Sequence, residues 1–174
     1  QSRSQENFTY KTFMDEKAEI TGWKRYIVRK EPQSLPSSPT DNVATAFCPL
    51  PKETIFSGKI HVHNLKRIEL AALLWSLTFG NNSDCYHNLG MVKAYGYGRV
   101  KIKISSSNLK YNNFEEVIVS SLTQEFENKM NQWYGQNNNG KNWTNSPQIN
   151  SLLEMANPSS RWNKDDLRYP QLNP

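Results

Sequence analysis

Acidic residues are absent from residues 86–113, although the 174-residue chain holds sixteen Asp and Glu against twenty-one Lys and Arg. Lys93, Arg99, Lys101, Lys103 and Lys110 fall in that window, so the remainder is neutral and the net charge of +5 resides here. A basic segment in a neutral chain is the footprint of a polyanion site. The same lysines also fit a solvated strand face that opposes edge aggregation. Cysteine is scarce. Cys48 and Cys85 are too few for a disulfide framework, and His61, His63 and His87 do not supply zinc-ligand spacing around them, so neither metal nor cofactor is expected. Apolar runs are short: none approaches the roughly 20 residues of a membrane helix, and no secretory signal opens the chain. No glycine loop ends in Gly-Lys-Ser/Thr, which disfavours nucleotide hydrolysis. The reading is a soluble, cytoplasmic protein without a membrane partner, in which the sequons at Asn7, Asn81 and Asn142 are chance products of an Asn-rich composition. An opening Gln in place of Met is expected of a fragment or a processed chain.

What is present centres on LGMVKAYGYGRVKIKI, residues 89–104, which joins glycines at 90, 96 and 98 to cationic side chains and an alternating strand. Glycine reaches positive φ and lets another backbone approach, so such a loop can offer bare amides to an anion beside Lys93 and Arg99. In the following strand Val100, Ile102 and Ile104 alternate with Arg99, Lys101 and Lys103, which places the cations on one sheet face and the aliphatics in the core.

Along the chain, residues 1–20 read as an N-terminal extension, 21–134 as the folded domain, and 135–174 as a polar loop, short helix and tail. Residues 22–30 and 43–50 read as strands, with a proline-rich loop between them. Residues 55–62 alternate, with Phe56, Gly58, Ile60 and Val62 on one face, and predict a half-buried strand. Asn64 is placed to cap a helix over 65–79, broad in its apolar surface and ended by Gly80. Asn113 and Glu116 form a capping-box-like start for a second helix, on which Phe114, Ile118, Leu122, Phe126 and Met130 recur every four residues. Ser146 and Pro147 open a third, short helix.

The strand FSGKIHVHNL, the helix RIELAALLWSLTFG and the run HNLGMVKAYGYGRVKIKI, in this order, resemble the C-terminal half of a RAMP-superfamily CRISPR-associated protein. Phe56, Gly58, Asn64, Leu65, Glu69, Leu70, Leu73, Leu74, His87, Leu89, Gly90, Lys93, Gly96, Tyr97 and Gly98 stand at the positions of that family's strand, helix and glycine-loop pattern. GWKRY, residues 22–26, is similar to the G-x-K-x-Y preceding this unit in large RAMP proteins, and the likeness spans roughly residues 20–105. It implies an α+β fold, a ferredoxin-like or RRM-like RAMP domain with a glycine-rich loop and extra C-terminal helices. It also implies a role in antiviral defence, with CRISPR guide RNA, target RNA and other effector subunits or domains as partners.

One departure shapes the functional reading. The outward positions of the basic strand are cationic, not the aromatic residues of ordinary RRM strands, which favours backbone contact over base stacking. The leading expectation is an RNA-binding, assembly-forming subunit or domain. Gly90, Gly96, Tyr97 and Gly98 then form the loop that meets the guide, Lys93 and Arg99 neutralise phosphate, and Lys101 and Lys103 extend the track, with Lys24 and Arg25 as further candidates. The enzyme alternative is a metal-independent CRISPR RNA-processing endoribonuclease using His87, with His61 and His63 behind it. Asp41 and Asp84 are loop carboxylates that nothing pairs for a metal-dependent cut. A third reading is a protein-interaction module anchored by Trp133, Trp143 or Trp162.

Overall fold

The computed structural model describes residues 14, 16, 25–34, 46–105, 110, 111, 115, 116 and 118–161. Its centre is a pair of packed helices, α1 (Arg67–Thr78) and α2 (Val119–Asn137), with a third, α3 (Pro147–Ala156), completing the C-terminal side. Two ladders accompany them. β1 (His87–Asn88) pairs antiparallel with β2 (Arg99–Val100), and β3 (Lys110–Tyr111) pairs antiparallel with β4 (Glu115–Glu116).

The apolar spacing of α1 buries Leu70, Ala71, Leu74 and Trp75 on one side, where they meet Leu122 of α2 and, at their margin, Leu65, Ile104, Val119 and Phe126. Burying a side chain the size of Leu122 contributes about 1.5–3 kcal/mol, which is what holds α2 against α1. The far end of this core is aromatic: Trp75 lies 5.1 Å from Trp143 and 6.0 Å from Phe126, ring centre to ring centre. Trp143 is therefore half-buried against the core, whereas Trp133 is exposed and Trp162 lies outside the described residues. A second cluster, Phe79, Cys85 and Ala156 with Leu152 and Leu153, fastens α3 to the end of α1 and the start of β1.

Helix ends follow local chemistry, with two differences from expectation. Helix α1 starts at Lys66, whose amide donates to Glu69 Oε2 at 2.7 Å, and Asn64 instead takes a left-handed φ of 56° in the preceding turn. At its C-terminus the left-handed step begins at Phe79, one residue before Gly80, because the Phe79 ring is held in the second core cluster. Gly80 is still required: a Cβ there would meet Glu127 Oε1 and Trp75 Nε1 at 2.6 Å. Of the capping-box pair, Asn113 lies outside the described residues and Glu116 belongs to the β3–β4 ladder, and α2 begins only at Val119. Ser146 does cap α3, its Oγ accepting from the Ile149 amide at 3.4 Å, with Pro147 in the first turn.

The predicted strands fare unevenly. In residues 99–104 the cations are exposed and Val100, Ile102 and Ile104 half-buried, as the alternation requires, although the ladder itself covers only Arg99 and Val100. Residues 25–30 belong to no ladder; Val28 is fully buried and its amide donates to Met155 O at 2.8 Å. Residues 46–50 and 55–62 likewise form no ladder. The latter segment is not half-buried: Ile55 is 91% exposed, Phe56 71%, Ile60 63% and Val62 43%. Its pattern is that of a strand, but among the described residues no partner strand lies against it.

Candidate nucleic-acid interface

The β1–β2 ladder pairs His87 with Val100 and Asn88 with Arg99, and one step outward sets Leu89 opposite Gly98. The Leu89 amide donates to Gly98 O at 2.8 Å and closes the glycine loop at its base. Within the loop a 3-10 turn, Lys93–Tyr95, runs between two left-handed residues, Val92 (φ 60°) and Gly96 (φ 88°). A β-branched residue at positive φ is strained, and Val92 therefore marks a loop whose shape is imposed by its surroundings. The surroundings are the segment 25–34: the Gln33 amide donates to Tyr95 O at 2.8 Å, and a Cβ on Gly96 would press on Arg29 Cβ and Cδ at 3.1 Å and on Glu31 O at 3.2 Å. Tyr97 packs edge-on against Phe47, 5.2 Å between centroids.

Two of the three glycines thus admit the chain's own backbone. Gly98 accommodates the Leu89 carbonyl and Gly96 the 29–31 segment, while Gly90 (φ 90°) has open space around it. The amides of residues 90–94 donate to no group among the described residues, and Lys93 beside them has no partner there either. That part of the loop can receive an anion; the closing part is architecture.

Beside the loop, three cations converge on Tyr86. Extension of the ladder register sets Tyr86 opposite Lys101, whose Nζ lies 5.3 Å from the ring centre and donates to Ser83 O. The Arg99 guanidinium lies 5.4 Å from the same ring, and its Nη1 donates to the carbonyls of Arg29 (3.2 Å) and Lys30 (2.9 Å). Arg25 donates to Tyr86 O at 3.1 Å and lies 5.1 Å from the centre of the Phe79 ring. Among the described residues none of the three has a carboxylate within ion-pair distance, so their charge is held in place by ring faces and carbonyl oxygens. Burial is the main influence that lowers the Arg25 pKa from the ordinary guanidinium range, with Cys85 opposing it. Lys103 is exposed and lacks a partner among the described residues.

His87 lies under this cluster. Its ring stacks on Phe79 at 4.3 Å and 26°, and Nε2, facing a carbonyl that can only accept, donates to Leu77 O at 2.9 Å. Burial, chiefly, lowers its pKa below 6.5; the Leu77 bond works against that and Arg25 adds to it. His61 and His63 lie apart, in the exposed segment 55–63, and Asp84 is exposed in the turn before β1. Asp41 and Lys24 lie outside the described residues. Among the described residues no group of three or more His, Cys, Asp or Glu is arranged to hold a metal ion.

Tyr86 is the residue that sequence reasoning missed. Its signal was the ladder register, since a strand face carrying Arg99 and Lys101 needs something opposite, and position 86 supplies an aromatic ring. Compared with known protein families, with curated proteins and with solved structures, the chain matches none. No helix among the described residues is long and apolar enough to cross a membrane.

Proposed function

We propose that this chain is an RNA-binding module of RAMP type, with a ferredoxin-like fold, that holds the guide-RNA backbone in a cytoplasmic CRISPR effector complex. The carrying observation is the set Arg25, Arg99 and Lys101, three cations that converge on Tyr86 and, among the described residues, have no carboxylate partner, beside a loop whose amides 90–94 and Lys93 have no partner there either. The motif likeness over residues 20–105 supports the family assignment; the charge geometry supports the polyanion.

Because Arg99 and Lys101 are also tied to backbone carbonyls, they set the shape of the surface, and Lys93 and Lys103 are the side chains with donors to give to phosphate. Single-stranded RNA should bind with strong salt dependence and little base preference. Lys93→Gln with Lys103→Gln, which break no bond among the described residues, should flatten the slope of log affinity against log salt by about 1 to 1.5 units, at roughly 0.7 per single-strand phosphate. The check is a fluorescence-anisotropy titration at several salt concentrations; an unchanged slope removes both lysines from the site. The His87 ring nitrogen on Leu77 O favours holding RNA over cutting it, and repeat RNA should stay intact with the protein, with or without magnesium.

A further inference from the structure

Aromatic rings near the basic cluster differ in whether a face is left to offer. Tyr86 carries Arg99 and Lys101 against its ring, Phe79 carries His87 and Arg25, and Tyr97 meets Phe47. Tyr95 is half-buried within the loop and already engaged. Tyr26 is the exception: it is 48% exposed, and among the described residues no ring, cation or hydrogen-bonding group engages its side chain. A single exposed aromatic is ordinary on a protein surface, but this one has its backbone held. Its carbonyl accepts from Asn88 Nδ2 at 2.9 Å, and Asn88 is the ladder partner of Arg99. On one side of it Arg25 is tied to Tyr86 O; on the other, Val28 is fully buried with its amide on Met155 O. A ring on an anchored backbone has only its own two side-chain torsions to lose when a ligand settles on it.

The same anchors fix the chemical neighbourhood. Arg25 precedes Tyr26 in the chain and Arg99 is reached through Asn88, so a ligand settling there meets a flat apolar surface and positive charge together. A single-stranded nucleic acid presents both complements in every unit, a phosphate and a base with a π face, whereas in a duplex the base faces are already stacked on one another. An acidic peptide brings the charge without a flat face at each step. We infer that Tyr26 is the base-stacking position of the interface, where one base of a bound single strand lies on the ring while its flanking phosphates meet the cations. The inference rests on the RNA reading above and adds to it a contact that the cationic positions of residues 99–104 do not make. Stacking accepts every base, so base preference stays low.

Anisotropy titrations of the full chain with two labelled oligomers of equal length and phosphate number, an oligouridylate and an abasic sugar-phosphate chain, test it. The parent should bind the oligouridylate more tightly. Tyr26→Ala should weaken oligouridylate binding about 5- to 150-fold, the range of one base–aromatic stack, and leave the abasic oligomer and the salt slope as in the parent. Tyr26→Phe should retain the parent affinity, and Tyr26→Leu, which keeps apolar bulk without a flat face, should not. Thermal melts of the three variants should match the parent, because the side chain is exposed. Equal losses on both oligomers, no loss on either, or a Phe variant as weak as Ala overturns the inference while RNA binding stands. A parent that binds neither oligomer brings down the RNA reading itself, and the stack with it.

Discussion

Gly98 and Gly90 share a left-handed backbone yet do different jobs, and substitution separates them. At Gly98 a Cβ would overlap the Leu89 carbonyl, the group that closes the loop, whereas at Gly90 it would meet nothing within 4 Å. Gly90→Ala should therefore cost about 1 kcal/mol for positive φ alone. Gly98→Ala should cost distinctly more and open the β1–β2 base, which denaturant melts of the two variants will compare. His87 gives a pH signature. Its folded pKa lies below the ordinary 6.5, so the unfolded chain binds the proton more readily. The His87 contribution is fully present above pH 6.5 and is lost as pH falls through the window below it. Melting temperature should drop from pH 7 toward pH 5, and His87→Gln, which keeps an N–H for Leu77 O, should flatten that part of the profile. A slope unchanged in the variant would place the titration elsewhere.

Elements written in local pattern were legible in the sequence, and those written in distant contacts were not. The stripe of α1, the Leu122 and Phe126 part of the α2 stripe, the Ser146–Pro147 start of α3 and the alternation of residues 99–104 depend on neighbours three, four or two positions away, while Ile118 of the expected α2 stripe caps the helix and is exposed. Glu116 shows the limit of such reading: read as part of a helix start, it pairs instead with Lys110 in the ladder of β3 with β4. For residues 55–62 alternation predicted a half-buried face that the structure leaves exposed, because burial is a property of whatever lies alongside and not of the pattern itself. The site divides in the same way. The common face of Arg99, Lys101 and Lys103 followed from period two, but the holding of Arg99 by the carbonyls of residues 29 and 30, and the approach of those residues to Gly96, join segments some seventy positions apart.

For the whole molecule, the backbone ties at the C-terminal end of α3 carry a consequence for how the protein opens. Met155 O accepts from the Val28 amide at 2.8 Å and Ala156 O from the Tyr86 amide at 2.9 Å, so adjacent carbonyls of one helix hold two segments that lie far apart in sequence. Both segments bear the basic cluster, through Arg25 on one and Tyr86 on the other. Their protection is then cooperative: native-state hydrogen exchange should release the amides of Val28, Tyr86 and α3 together, as one subglobal unit, at a lower free energy than the α1–α2 pair. Ile149→Ala, which hollows the buried face of α3, should speed exchange at Val28 and Tyr86 while leaving Leu74 and Leu122 slow. Independent rates for the three would mean that the helix is no clasp. The surface that gathers positive charge would thus exist only while a helix outside it stays docked, and the lifetime of the charged face would be set by the dwell time of α3.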